Sequence, residues 1–252
     1  MIELCAIASG SNGNCYYIGN QYEAILIDAG ISARRIMMRM HKQNLDQAKV
    51  KALFISHEHG DHTSGAKVLG KRLKIPVYAT SKTYAAMYSI HKPLSARFFE
   101  PGTQVIAGSF IVHPFLKKHD AVEPCSFRIE YEGRSIGVFT DIGSPSAAVV
   151  RHLNQCHALF LETNYDEKML WEGPYTWPLK KRIASEHGHL SNDQAFGLLE
   201  NHSGSQLQLV LLSHLSAVNN TPETAMNRFR EMNDKVGIHL TSRYAPGEVF
   251  II

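Results

Sequence analysis

The chain has 252 residues, 44% of them hydrophobic, and a formal net charge of +3, which is enough core for one domain over 1–252. No window reaches the roughly 20 uninterrupted apolar residues of a membrane span, so no membrane partner is expected. Met1-Ile2-Glu3-Leu4-Cys5 lacks the start of a secretory signal, and Cys5, Cys15, Cys125 and Cys156 show no metal-type pairing; a cytoplasmic protein with reduced, buried thiols is the expectation.

Residues 2–8 and 15–18 alternate apolar and polar positions around Ser9-Gly10-Ser11-Asn12-Gly13-Asn14, which predicts a hairpin. Ala24-Ile25-Leu26-Ile27-Asp28-Ala29-Gly30 reads as a buried strand ending in an acid and a glycine, after which Ser32 caps a helix over 33–44. Ala52-Leu53-Phe54-Ile55 is the next strand, followed by a helix over 64–73, the strand Pro76–Ala79 and a helix over 81–90. From Arg97 to Phe139 the pattern is mainly strand, at 103–106, 110–115, 126–131 and 135–139. Then come a short helix over 147–153, a buried strand at 158–161 and a polar-aromatic helical region over 165–185. Ser191 caps a helix over 192–201; a strand at 209–212, a helix over 222–235 and a strand at 249–252 complete the order. Strands then helix, twice over, favours an α/β fold of two β-rich halves, a four-layer αββα sandwich, over an all-parallel sheet.

His57-Glu58-His59-Gly60-Asp61-His62 follows the buried run 52–55 directly, so its side chains sit at the carboxyl end of a strand. Imidazoles and a carboxylate suit zinc, manganese or iron. Four such groups within six residues crowd a single ion, so His57 and His59 can serve one metal while Asp61 and His62 serve a neighbour. A His-rich surface turn is the bland alternative. Against it, later strands end in further ligand types: His119 after 110–115, Asp141 after 135–139 and His214 after 209–212.

With these residues in place, the chain resembles the metallo-β-lactamase superfamily, whose H-x-H-x-D-H signature matches His57 to His62. The resemblance implies an αββα sandwich with two divalent ions: His57, His59 and His119 on one, Asp61, His62 and His214 on the other, Asp141 between them. Asp28 would hold the metal loop from behind. Residues 8–14, His119-Asp120-Ala121, Glu162-Thr163-Asn164-Tyr165-Asp166, Gly188–Asn192 and the 214–223 stretch further resemble the YycJ/WalJ group, which is associated with exonuclease activity on DNA. Two positions depart from that group: Tyr165 replaces a usual histidine and Asn12 a usual serine. The segment around His189 is also similar to tRNase Z enzymes, which implies Glu162 and His189 as a proton-donating pair.

A nucleic-acid substrate is therefore expected. Ser11, Asn12 and Asn14 offer donors for a phosphate, Asn164 falls beside the implied site, and Lys117, Lys118, Lys180, Lys181 and Arg182 offer cations. Trp171, Tyr175 and Trp177 either stack on bases or pack within the helical region. The alternative is a metallohydrolase of a lactone, thioester or cyclic phosphodiester, for which Glu162 and His189 have no evident use. A diiron oxidoreductase and a regulatory module with a vestigial site are weaker readings. Only a strand, a helical region and a helix separate Asp141 from His214, too little for a large clamping insertion. The expected site is open, and a homodimer would complete its surface.

Overall fold

In the computed structural model, which describes residues 1–232 and 235–252, the alternating stretches at the start of the chain form the expected hairpin. β1 (Glu3–Ala8) and β2 (Cys15–Gly19) pair antiparallel with a bulge between Ala6 and Ala8. β3 (Ala24–Ile27) continues antiparallel from β2. Ser32 caps α1 (Ala33–Lys42) by accepting from the Arg35 amide, as predicted, and the helix buries Ala33, Ile36 and Met40. β4 (Val50–Phe54) pairs parallel with β3; α2 (Gly60–Thr63) and α3 (Ala66–Leu73) follow it. β5 (Val77–Ala79), α4 (Ser81–Ala86) and β6 (Ala96–Phe98) extend the same sheet in parallel, and the last strand, Phe250–Ile251, closes its other edge against β1. β7 (Val105–Ala107) and β8 (Phe110–Leu116) pair antiparallel as a hairpin turning at Gly108, which has φ +63°. Met1–Pro114, Ala121–Cys125 and Thr241–Ile252 make one compact unit. Its core joins Ile36 and Met40 to Leu26, Leu53 and Leu69.

Phe115–Asp120 and Ser126–Leu240 make a second unit. β9 (Cys125–Tyr131) runs antiparallel to β10 (Arg134–Phe139). α5 (Ala147–Leu153), β11 (Ala158–Glu162), α6 (Glu167–Glu172), α7 (Trp177–Ile183), α8 (Asn192–His202), β12 (Leu209–Ser213), α9 (Pro222–Phe229) and β13 (Gly237–Leu240) follow in order. β10, β11, β12 and β13 are mutually parallel. Every residue of β11 and β12 is buried, so these strands read as continuous apolar runs. Each large side chain buried there stabilises the unit by about 1.5–3 kcal/mol. Ser191 and Gln194 form a capping box at the start of α8.

The mixed sheets with flanking helices are of the α/β class expected. Several elements differ. The helical region over 165–185 is two helices, broken where Gly173 and Pro174 interrupt the pattern. The helix over 81–90 stops at Ala86. β6 and β13 are short and partly exposed, so they left no apolar signature. The helix expected over 222–235 ends at Phe229 in a 3-10 turn, Arg230–Met232; residues 233 and 234 lie outside the described residues. Among the described residues no helix is long and apolar enough to cross a membrane.

The topology aligns the functional candidates by unit. β3 and β4 are parallel, so Asp28 and the 57–62 loop leave the sheet at the same end. β10, β11 and β12 are parallel as well, which puts Asp141, Glu162 and His214 at one end.

Candidate metal centre

In the first unit Asp28 is fully buried and sits at φ +62°, a conformation that costs a non-glycine residue of order 1–3 kcal/mol and is retained where the surroundings impose it. Its Oδ1 accepts from the Ser56 amide at 2.8 Å, and its Oδ2 accepts from the Ser56 hydroxyl at 2.8 Å. The same Oδ2 lies 2.8 Å from His62 Nδ1. A carboxylate on Nδ1 makes that nitrogen the donor and leaves the Nε2 lone pair for a ligand role. His62 Nε2 lies 3.4 Å from Asp61 Oδ2 and 3.2 Å from Asn14 Nδ2. His57 is oriented similarly: Nδ1 is 2.9 Å from the Ser56 hydroxyl, and Nε2 is 3.1 Å from His59 Nδ1. His57 and His62 are fully buried, whereas the Asp61 side chain is 26% exposed.

Asn14 is buried and holds the loop rather than facing solvent. It exchanges hydrogen bonds with Gly10, accepts from Tyr16, and its amide donates to the Asp61 carbonyl at 2.8 Å. Ser11 and Asn12 are the exposed tip of the same turn.

In the second unit the Asp141 carboxylate is the meeting point. Its Oδ1 lies 3.4 Å from His214 Nε2, 3.8 Å from His119 Nε2 and 3.9 Å from His189 Nδ1. Asp141 and His214 both occupy the left-handed region, at φ +55° and +57°, each just past the end of its strand. The far nitrogen of each imidazole is again fixed: His119 Nδ1 is 3.0 Å from the Gly188 carbonyl, and His214 Nδ1 is 2.9 Å from Glu162 Oε1. Asn164 donates to the His214 carbonyl at 2.9 Å. Burial pushes the His119 imidazole pKa down to about 3, which keeps it neutral, the form a metal ligand needs.

Glu162 is fully buried and binds two rings at once. Its Oε1 lies 2.7 Å from His189 Nδ1 and 2.9 Å from His214 Nδ1, while Oε2 accepts from the Ile142 amide at 2.6 Å. Burial alone would raise its carboxyl pKa, but the neighbouring His189 and His214 bring it below the usual carboxylate range. His189 keeps 19% of its side chain exposed.

Two nucleic-acid contacts expected from the sequence do not stand. The Lys117 side chain is 1% exposed and donates to the Thr140 carbonyl at 2.7 Å; Lys180 is buried and donates to the Trp171 carbonyl at 2.7 Å. Two supports were missed. Ser56 links Asp28 to His57, and its position directly before the first histidine is the only sequence signal for it. The Gly188 carbonyl carries no side-chain signature at all.

The donor chemistry fits divalent metal. His57, His62, His119 and His214 each have one ring nitrogen held by an oxygen and the other turned toward a carboxylate or imidazole. That is how ligating histidines are oriented.

The family described as "Beta-lactamase superfamily domain" matches residues 23–215. Over its whole length the chain is 31% identical to "Exodeoxyribonuclease YycJ" of Bacillus anthracis, the alignment covering 100% of this chain and 94% of that protein. It is 32% identical to "Exodeoxyribonuclease WalJ" of Streptococcus pneumoniae, over 92% of this chain and 90% of that one. Among solved structures it is similar to the metallo-β-lactamase fold protein YhfI from Bacillus subtilis, with a TM-score of 0.72 and 17% identity, covering 98% of this chain and 100% of that one. The chain therefore belongs to the β-lactamase superfamily, and its fold is the metallo-β-lactamase fold that the sequence implied.

Proposed function

We propose that the protein is a metal-dependent phosphodiesterase that acts as an exonuclease on DNA. The observation that carries the reading is Glu162, a buried carboxylate bonded at once to His214, a ligand candidate, and to His189, which neither of the two ligand sets implied by the family resemblance includes. End-to-end similarity to two proteins named exodeoxyribonucleases supports the substrate class.

His57, His59 and His119 would hold one ion; Asp61, His62 and His214 would hold the other, with Asp141 shared. Two divalent ions of the zinc or manganese kind supply hydroxide near neutral pH and positive charge for the phosphate oxygens. Glu162 Oε1 lies 2.7 Å from His189 Nδ1 and makes that nitrogen the donor, so a proton passed to substrate would be the one at Nε2. Hydrolysis adds the oxygen of water to phosphorus and breaks the P–O bond to the leaving sugar oxygen, which would take the His189 Nε2 proton as it departs. Glu162 itself positions His189 and does not reach substrate, being fully buried. Ser11 and Asn12, exposed at their turn, would donate to a phosphate.

The test is metal-stripped protein reloaded with zinc or with manganese, assayed on end-labelled single- and double-stranded DNA and on RNA. Cleavage is expected to require metal, to vanish in Asp61→Ala together with bound metal, and to slow about 10²- to 10⁴-fold in His189→Ala with metal retained. No cleavage of any strand, with turnover of lactones or thioesters instead, would refute the reading.

A further inference from the structure

The chain has two tryptophans, and the fold brings them together on the surface. Trp171 lies near the end of α6 and Trp177 at the start of α7; their ring centroids are 5.3 Å apart at an interplanar angle of 51°. They are 37% and 59% exposed. The local core of these helices is built without them, from Tyr165, Leu170 and Ile183. Packing therefore does not account for the pair, and exposed indoles side by side are a costly way to end two short helices.

One cation lies over a ring and a second braces the two helices. Lys181, four residues after Trp177 and so on the same helix face, places its ammonium 5.4 Å from the Trp177 centroid. Lys180 points inward and ties α7 to α6 through the Trp171 carbonyl, fixing one indole relative to the other. The far end of α7 runs directly into the candidate site: the Ile183 carbonyl accepts from the His189 amide at 2.9 Å, and Arg182 pairs with Asp120, next to His119. The indoles are tilted and so do not stack face to face on each other. Flat aromatic faces with a cation beside them accept unpaired bases of any sequence and their phosphates.

We propose that Trp171, Trp177 and Lys181 form a stacking platform that receives the bases of a single nucleic-acid strand and leads it along α7 to His189. The inference rests on the nuclease reading above and adds where the strand lies and that its bases must be unpaired. Indole stacking supplies the affinity and Lys181 contacts a phosphate, so sequence preference is weak.

Because both tryptophans belong to the platform, intrinsic fluorescence reports on it directly. Full-length protein in chelator, which prevents cleavage, is titrated with a short oligothymidylate and with a blunt duplex, while a labelled copy of the strand reports binding by anisotropy. Saturable quenching by the single strand and little by the duplex is expected. Trp177→Ala should weaken single-strand binding about tenfold or more, the order of one lost stacked base, and Trp177→Phe should restore most of it. Anisotropy that shows tight binding with unchanged fluorescence, equal quenching by the duplex, or unaltered affinity in Trp177→Ala would each overturn the platform. Failure of the nuclease reading looks different: the metal-loaded wild type cleaves no polynucleotide, whereas an active nuclease with undiminished affinity in Trp177→Ala refutes the platform alone.

Discussion

His119, a candidate ligand, shows what burial does to an imidazole. It is 4% exposed, and desolvation takes its pKa from 6.5 to about 3, outweighing the opposite pull of Asp141. In the metal-stripped protein the folded chain keeps this ring neutral at pH values where the unfolded chain protonates it. The stabilising contribution is therefore whole above about pH 6.5 and declines as pH falls toward 3, with a limiting slope of about 1.4 kcal/mol per pH unit for one proton. Urea unfolding of the stripped protein at pH 7, 6 and 5 should show this decline, and His119→Asn should make it shallower by up to that slope. Parallel pH dependences in the two proteins would mean that burial of His119 costs the fold nothing. The candidate ligand residues were legible, because six consecutive positions, His57 to His62, carry the chemistry in their spacing. What orients them was only partly so. The role of Asp28 behind the loop came from the family resemblance, the second ring held by Glu162 lies 52 positions away, and the oxygen on His119 Nδ1 belongs to a backbone carbonyl.

At the scale of the element, the 57–62 loop depends on two other loops that meet beneath it. The Asn14 amide donates to the Asp61 carbonyl at 2.8 Å, the Ala29 amide to the His62 carbonyl at 2.8 Å, and the Gly30 amide to the Asn14 carbonyl at 2.7 Å. A Cβ on Gly30 would lie 1.5 Å from the Asp61 carbonyl oxygen and 2.5 Å from the Asn14 nitrogen; both are backbone and neither can swing aside. Gly30→Ala must push the start of α2 outward, taking Asp61 and His62 with it. Overpacking of this kind costs about 1–3 kcal/mol, or about 2–4 °C in Tm for each kcal/mol in a chain of this size. The variant should fold, melt lower and bind less metal, as read by thermal denaturation and elemental analysis of the purified protein. Wild-type metal content in a folded Gly30→Ala would show that the loop does not need this close approach. Gly30 was visible in the sequence as the end of a strand; its reason was not, because the atoms that exclude a side chain come from residues 14 and 61. The break between α6 and α7 was within reach, since Pro174 follows Gly173 there. An aromatic-rich stretch with helical spacing masked it.

At the scale of the whole molecule, the first unit is assembled from chain segments that the sequence separates widely. Thr241–Ile252 returns to it, and the last strand pairs with the first, Glu3 opposite Ile251 and Leu4 opposite Phe250. The order of strands and helices disclosed the α/β class, since the apolar runs and their spacing carry it. The return of the last strand was hidden, because two residues of pairing leave no periodicity. Arg39 holds this closure. It is 5% exposed on α1; its Nη1 donates to the Ile7 carbonyl at 2.9 Å, and its Nη2 donates to the carbonyls of Tyr244 at 2.8 Å and Arg243 at 3.2 Å. One guanidinium thus satisfies β1 and the returning segment together, a fork that a lysine's single ammonium cannot reproduce. Arg39→Met keeps much of the aliphatic stem and removes the donors, leaving three carbonyls without that partner. The loss should be about 2–4 kcal/mol, given the strength of charge-assisted bonds and the cost of abandoning buried acceptors. It should also be local: amide exchange should accelerate at residues 250–252 and at Ile2, whose amide donates to the Ile252 carbonyl at 3.0 Å. Amides of β11 and β12, in the other unit, provide the comparison. Uniform acceleration through both strands would make Arg39 a general contributor to stability. Faster exchange confined to the two ends of the chain would identify it as the residue that fastens the last strand to the first.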